Sequence, residues 1–560
     1  MPYIPPNYEP IVPDAVASKV TEKTSVLIVG AGPIGLALAL DMGTMGHKVI
    51  IINRETKLTD GSRAICYAKR PLEIFDRLGL AEKMVKKGVE WNIGRVFFKN
   101  RTEPVYSFDL LPVKEQKLPA MINIQQYYNE EYNIEALEKL DNVELRWGNT
   151  LISIEEKTNS VNATVQTERG NYNLEADWLI ACDGSSSPTR KMMDMGFGGE
   201  TFQDNFLIAD VKFKKKYPTE RHFWFDPSFN PGQSVLLHKQ PDNVWRIDFQ
   251  VGWDIDRKEI VRPENVTPRI KAMFGEDVEF EYEWISVYTF NCRIIDSMTK
   301  GRVIFAGDSA HLVSPFGARG ANTGFQDTDN LAWKLDLIIK GKADHRLLQS
   351  YDEERSLAAK INILNSTRST DFITPKSAVS THFRDAVLQL STEYEFARGF
   401  VNSGRLSLPV SYPDSSLNTA DDEIWPAGVP PGTNCIDAPV LEQGETQWLL
   451  NSLGWMFKLL IFVDPDYVSQ DQYQVLVSLE KDEIPISCIF ISQAAISGVE
   501  TIIDIKGLAA ERYGICKTGV YLVRPDQYVA ARWHHIDINK IRNAVQRSIG
   551  YSVEEKVTKQ

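Results

Sequence analysis

The chain is 560 residues long, 43% hydrophobic and 24% charged, ordinary values for a globular protein, and its length suggests about three to four domains. Acidic residues outnumber Lys and Arg by 75 to 62, a net charge of −13, which argues against a nucleic-acid partner, and no basic run invites an anionic membrane surface. The six cysteines are far apart with no CxxC pair, and the eight histidines are scattered, with only His534 and His535 adjacent; neither a disulfide framework nor a metal site is expected.

In chain order, the proline-rich residues 1–21 predict an extended arm without the basic-then-apolar order of a signal peptide. "SVLIVG" is a continuous apolar strand closed by glycine, "PIGLALALDMGTMG" is helical, and "KVIIIN" is a second strand. This β-α-β succession opens a doubly wound, Rossmann-like sheet over residues 22–200, with some segments at about 90–125 belonging to a second unit. "ADWLIACDG" is a further buried strand ending at Asp183 and Gly184. Residues 201–295 alternate polar and apolar with many aromatics, predicting a mostly antiparallel sheet inserted into the first domain. Residues 296–402 return to the first domain: "GRVIFA", a long glycine-rich loop, then helices from about Leu331 to Phe400. Residues 403–434, rich in Pro, Ser and Gly, read as a linker. Residues 435–560 form a smaller α/β domain. No stretch approaches the roughly 18 apolar residues of a membrane-spanning helix, and a cytoplasmic setting is expected.

Three stretches carry chemistry. Gly30, Gly32 and Gly35 make GxGxxG between a strand and a helix, the context in which glycines permit a tight turn and a helix N-terminus faces a pyrophosphate. The acid expected about twenty residues on, to bind a ribose, is Asn53 instead, an amide that can still hydrogen-bond a hydroxyl; Glu55 is nearby. The second stretch is "ACDGSSSPTR", with Asp183, Gly184, Ser187 and Arg190. The third is "GDSAHLVSPFGARGANTGFQD", too long for a plain connection. Its Asp308 can accept hydrogen bonds from a polyol, and its glycines let backbone amides approach a ring system.

Together, in this order, the three stretches resemble the single-component (class A) FAD-dependent aromatic hydroxylases of the p-hydroxybenzoate hydroxylase-like fold, over roughly residues 22–400. "GSRAICYAKRPLEIFDRLG" and "NILNSTRSTDFITP" resemble the 3-(3-hydroxyphenyl)propionate and phenol hydroxylase branch, and the tail after 425 is similar to that branch's thioredoxin-like domain, here without CxxC. The resemblance implies an NAD(P)H- and O2-dependent monooxygenase that hydroxylates a phenolic ring through a flavin C4a-hydroperoxide, and a homodimer is expected. It places Gly30, Gly32, Pro33, Ile34 and Gly35 at the FAD pyrophosphate, and Asn53 and Arg54 towards the adenosine. Arg63 would lie by the phosphate and ribityl region, Gln126 at the flavin, and Asp183 in a motif shared by FAD and NAD(P)H. Asp308 would hold the ribityl hydroxyls, Pro315 would lie by the reactive edge, and the backbone of Gly320, Ala321 and Asn322 would approach the pyrimidine side.

Substrate contacts are sought in residues 220–295. His222, Arg246 and Tyr288 are the leading candidates, with Arg221, Trp224 and His238 beside them and Tyr67 and Tyr127 elsewhere. An arginine could pair a carboxylate and His or Tyr could help deprotonate a phenol; each taken alone reads more readily as a packed sheet residue or a satisfied polar group. Two other readings stay open: a tailoring flavoenzyme for a larger polycyclic, and a non-catalytic flavin-binding scaffold.

Overall fold

The computed structural model describes residues 3–58, 63–91, 93–109, 113–402, 407–464 and 470–551. The first four residues of the expected linker and the last nine of the chain therefore lie outside the described residues. No helix among the described residues is long and apolar enough to cross a membrane.

The parallel strands Val303–Phe305, Gly170–Ala181, Glu22–Val29, Val49–Asn53 and Val143–Trp147 lie side by side in that order. They read as unbroken apolar runs because both faces are covered: Leu27, Ile28, Ile51, Leu179, Ile180 and Ile304 are all fully buried. Register decides where the site falls. Val29 pairs with Ala181 and Ala181 with Phe305, so the chain leaves the sheet at Gly30, at Asp183 and at Gly307 along one carboxyl edge, the usual ligand edge of an open α/β sheet.

A second sheet runs in the order His311–Leu312, Phe280–Ile295, Phe197–Phe213, Val244–Gly252, Ser234–Lys239, Arg221–Phe225, Ile93–Phe98 and Tyr106–Asp109. All its pairings are antiparallel except that of Arg221–Phe225 with Ile93–Phe98. One face buries Leu207, Ile247 and Phe249 against Val266 and Ile270 of the helix Pro263–Phe274. The other turns Phe98, Phe206, Phe225 and Phe290 towards Phe316 of the glycine-rich loop and Ile373 of the long helix Leu347–Ile373.

The C-terminal sheet is ordered Glu445–Trp448, Pro439–Glu442, Thr501–Ile503, Ile486–Ser492, Phe457–Phe462, Gly519–Val523, Val529–Trp533. Alternation along Phe457–Phe462 sends Leu459 and Ile461 to one core and Leu460 and Phe462 to the other. The first of these cores takes in Trp333 from the helix Gly320–Ile339, whose ring meets Phe457 edge-on at 5.9 Å. Beside it a buried ionic seam joins the two parts: Arg524 and Lys334 both reach Glu354, at 2.6 and 3.1 Å, and Arg70 bridges Asp329 (2.9 Å) to the Asp526 carbonyl (2.7 Å).

Residues 407–434, expected to be a linker, form a packed strap. Tyr412, Leu417 and Val429 are buried, Arg355 Nη1 donates to the Tyr412 hydroxyl at 2.5 Å, and the Thr419 and Gly432 amides donate to the carbonyls of Ala530 and Val529. A Pro-rich segment has no ladder of its own, so its backbone groups are satisfied along the edge strand Val529–Trp533, which it covers. The N-terminal arm is likewise anchored: Tyr3 stacks on Tyr127 at 3.6 Å and Tyr8 on Trp147 at 4.3 Å.

Candidate active site

The three expected motifs converge where register places them. Gly30 has φ +107°, and a Cβ there would lie 2.5 Å from the Cys182 carbonyl oxygen; a Cβ at Gly35 would lie 2.0 Å from the Gly30 carbonyl. These two glycines let loop, strand and helix close on one another. Gly32 is different: a Cβ there would meet nothing within 4 Å, so it faces open space at the cap of the helix Pro33–Thr44, with Pro33 as its first residue. Ile34 turns inward and fills the space left by Gly307 and Gly324, which sets the N-terminus of this helix beside that of Gly320–Ile339. Gly320 too has nothing within 4 Å of a built Cβ. Two helix N-termini thus open side by side on one crevice, a setting suited to an anionic or carbonyl-rich ligand.

Asp308 lies in this crevice, exposed yet surrounded by protein. That enclosure pushes its carboxyl above the ordinary range, while His311 and Arg63 act to lower it. Tyr288, 44% exposed, has its hydroxyl raised by the same desolvation and next by Asp308, with Arg63 opposing; it stays protonated and can donate a hydrogen bond. Arg63, Asp308 and Tyr288 are thus near enough to feel one another's charge.

The turn behind Asp308 is rigidly held. The fully buried Asp327 accepts from the Gly307 amide at 2.9 Å, from His311 Nε2 at 2.7 Å and from Arg355 Nε at 2.7 Å. Burial opposes its charge, but His311, Arg355 and the amide outweigh it and hold the carboxylate below its usual range. The glycine-rich loop then turns at Pro315–Ala318, where the Ala318 amide donates to the Pro315 carbonyl and Gly317 and Ala318 both have positive φ (+92° and +55°). Pro315 is exposed, and Phe316 is driven into the core beneath.

Several expected contacts turn out to be internal. Asn53 Oδ1 accepts from the Ala31 amide at 3.1 Å and its Nδ2 donates to the Glu55 carbonyl; the side chain ties down the glycine loop, and Arg54 pairs with Glu55 at the surface. Gln126 accepts from the Ala64 amide at 3.1 Å and donates to Glu130 at 2.7 Å, so it positions the Arg63 segment from behind. Asn322 bonds Ala68 and Cys66 across to the strand Cys66–Ala68, and also the Ala318 carbonyl; beside it, Ala321 packs on the core. Asp183 accepts from Ser187 Oγ at 2.5 Å and the Thr189 amide at 3.0 Å, and Arg190 links this turn to the Ser309 carbonyl at 2.9 Å.

Under the loop lies a partly open cavity lined by Trp91, Phe108, Arg221, Phe223, Phe225, Phe316 and Gly317 with parts of the helices Leu347–Ile373 and Glu395–Asn402. Of the substrate-side candidates named in residues 220–295, its lining includes Arg221 alone among the described residues. His222 projects from the opposite face of its strand to Arg221 and Phe223, bonded to Glu220 at 3.0 Å and in edge contact with Phe97 and Trp224. Arg246 is buried in a two-pronged pair with Asp210, at 2.8 and 2.9 Å, and its Nη1 also donates to the Arg63 carbonyl at 3.4 Å. His238 is buried 3.1 Å from Asp248, its pKa lowered to about 4 by desolvation and the nearby Arg221, and stays neutral. Tyr67 is buried in the core against Phe325.

A dinucleotide-type glycine loop, a second carboxylate-bearing loop and an adjoining aromatic cavity define a flavin-binding oxidoreductase fold. The chain belongs to the family described as FAD binding domain, whose model matches residues 23–366. FAD is its cofactor, with NAD(P)H the reductant typical of the family, and the expected FAD-dependent monooxygenase class is borne out. The chain is 26% identical over 523 residues to the 3-(3-hydroxy-phenyl)propionate/3-hydroxycinnamic acid hydroxylases of Escherichia coli (strain SMS-3-5 / SECEC) and Shigella sonnei (strain Ss046), covering 91% of this chain and 92% of each. Its fold is that of the flavin-dependent monooxygenase PieE, solved with FAD and substrate (TM-score 0.79, 20% identity, 94% of this chain and 99% of that one). Aklavinone-11 hydroxylase, solved with FAD and aklavinone, is also similar (TM-score 0.77, 21% identity, 95% and 100%).

Proposed function

We propose that the protein uses FAD, NAD(P)H and dioxygen to hydroxylate a phenolic ring held in the aromatic cavity under the glycine-rich loop. The observation that carries this reading is continuity: Phe316 and Gly317, which line the cavity, are joined through Pro315 to the loop that begins at Asp308. The open faces at Gly32 and Gly320 and the exposed carboxylate in the crevice fit an FAD. Gly30, Gly32, Gly35 and the first turn of Pro33–Thr44 would hold its pyrophosphate, and Asp308 with Arg63 its ribityl and phosphate groups. The amides of Gly320, Ala321 and Asn322 would meet its ring, with Pro315 at the reacting edge. Bound and reduced by NAD(P)H, FAD would supply the activation of dioxygen, one atom of which goes to the ring and the other to water. The chain's own part is to position the ring beside Pro315 and keep water away with aromatic walls. No imidazole or carboxylate lines the cavity among the described residues, so deprotonation of a phenol by His222 forms no part of this reading.

The topology of the C-terminal sheet supports a thioredoxin-like reading of that domain. Phe457–Phe462 and Ile486–Ser492 are parallel and joined through a helix, followed by the antiparallel pair Gly519–Val523 and Val529–Trp533 and the helix Ile538–Ser548. It lacks CxxC, so no dithiol chemistry is assigned to it.

The test is NADH and NADPH oxidation by the FAD-loaded protein across phenols and phenolic acids, with peroxide and products measured. A compound that accelerates oxidation and is recovered with one added oxygen is the expected result. Oxidation that no compound stimulates, or that ends wholly in peroxide, overturns the reading.

A further inference from the structure

The aromatic cavity contains one charge. Arg221 is its only charged lining residue among the described residues, and it is 8% exposed. Its partners are unusual for a buried guanidinium. Nη1 lies 3.8 Å from the Cys66 thiol, the group sits 5.1 Å from the ring centroids of Trp91 and Phe223, and Nε has no hydrogen-bond acceptor. No carboxylate comes within ion-pairing distance among the described residues, whereas its neighbour Arg246 is fully paired with Asp210. Desolvation pulls the Arg221 pKa down, with only the thiol and the more distant Asp248 acting against it. A buried cation is costly unless something compensates it, and inside this chain the compensation is two ring faces and a sulfur.

We propose that Arg221 is the docking point for a carboxylate on the substrate, so that the ring hydroxylated is that of an aromatic acid. The inference rests on the hydroxylase reading above and deepens it. One guanidinium supplies one positive charge, matched by a monoanion, and its planar fork pairs both oxygens of a carboxylate. The aromatic lining takes the rest of the molecule. With the anion fixed at Arg221, the ring is oriented within the cavity, and selectivity arises because a neutral analogue would leave the buried cation uncompensated.

The test uses ligands that cannot be hydroxylated as phenols, so that binding is read apart from turnover. Benzoate, phenylacetate and 3-phenylpropionate are titrated calorimetrically into the FAD-loaded protein, each beside its primary amide. At least one acid is expected to bind roughly 10- to 100-fold more tightly than its amide, the range of a charged hydrogen-bonded contact. Arg221→Met should erase that preference, and Arg221→Lys should keep part of it; FAD content and melting temperature confirm that each variant is folded. The proposal is overturned if no acid outbinds its amide in the unaltered protein, a result that needs no variant. It also falls if Arg221→Met retains the preference, or if it raises KM as much for neutral phenols as for phenolic acids, which would place the guanidinium on a phenolate. Acid preference without any hydroxylation would keep the Arg221 site and refute the reaction instead.

Discussion

The Asp327→Asn substitution probes whether the glycine-rich loop is held from behind. The side chain is wholly buried and accepts three hydrogen bonds, from the Gly307 amide, His311 and Arg355. An asparagine has the same shape but one acceptor oxygen. If that oxygen faces Arg355 Nε, the new NH2 group confronts the Gly307 N–H, donor against donor. Arg355 is itself 1% exposed and loses its carboxylate, although the Tyr412 hydroxyl and the Thr323 carbonyl remain to it. Breaking a buried ion pair costs about 3–5 kcal/mol, and those two remaining acceptors favour the lower end. The orphaned Gly307 amide concerns binding more than folding: it anchors the turn that presents Asp308, and one unsatisfied buried donor is worth about 1–3 kcal/mol, or roughly 5- to 150-fold in affinity. Thermal unfolding and FAD titration of the apoprotein, run together, are the assay. A melting temperature lowered by several degrees with weaker FAD binding is expected. Unchanged FAD affinity in a clearly destabilised variant would refute the link between Asp327 and the Asp308 turn, and unchanged stability would refute the ledger itself.

The glycine loop separates folding from binding. Gly35→Ala forces a Cβ to within 2.0 Å of a backbone oxygen, whereas Gly32→Ala meets nothing; the first should yield little folded protein, and the second a protein that melts normally in its apo form but emerges colourless from gel filtration. His238 makes stability depend on pH. Its folded pKa of about 4 lies below the ordinary value, so the unfolded chain takes up the proton first; stability is fully present above about pH 6.5, is lost progressively towards pH 4, and amounts to roughly 3 kcal/mol. Denaturant titrations between pH 4 and 7 should show that slope and His238→Gln should flatten it.

What the sequence disclosed and what it withheld follow from the range of the interactions. The glycine loop, Asp183 and Asp308 are local features at strand ends, and once the apolar runs are recognised as parallel strands, their meeting at one edge follows. The choice between Arg221 and His222 is not local. Adjacent residues of a strand face opposite sides, and which side meets the cavity depends on a register with Gly94 and Leu237 that sequence spacing does not contain. The alternation of Arg221, Phe223 and Phe225 was the available signal. Arg246 has its partner Asp210 on the next strand, 36 positions away, so it reads as a free cation until the strands are paired. Asn53 departs from the usual acid because its amide serves the loop with both an acceptor and a donor, which a carboxylate could not do. The linker looked detached because its proline content rules out helix and ladder, yet says nothing about docking onto an edge supplied a hundred residues later.

The seam between the helix Gly320–Ile339 and the C-terminal sheet has a consequence for how the chain can be divided. Trp333 is core for one domain while riding on an element of the other, and Glu354 is shared by a lysine and an arginine from opposite sides. A cut near residue 430 would bare an indole on one fragment and leave Arg524 without Glu354 on the other. The boundary visible in the composition is thus not a place where the protein comes apart, and the C-terminal sheet is the floor on which the helix Gly320–Ile339 rests.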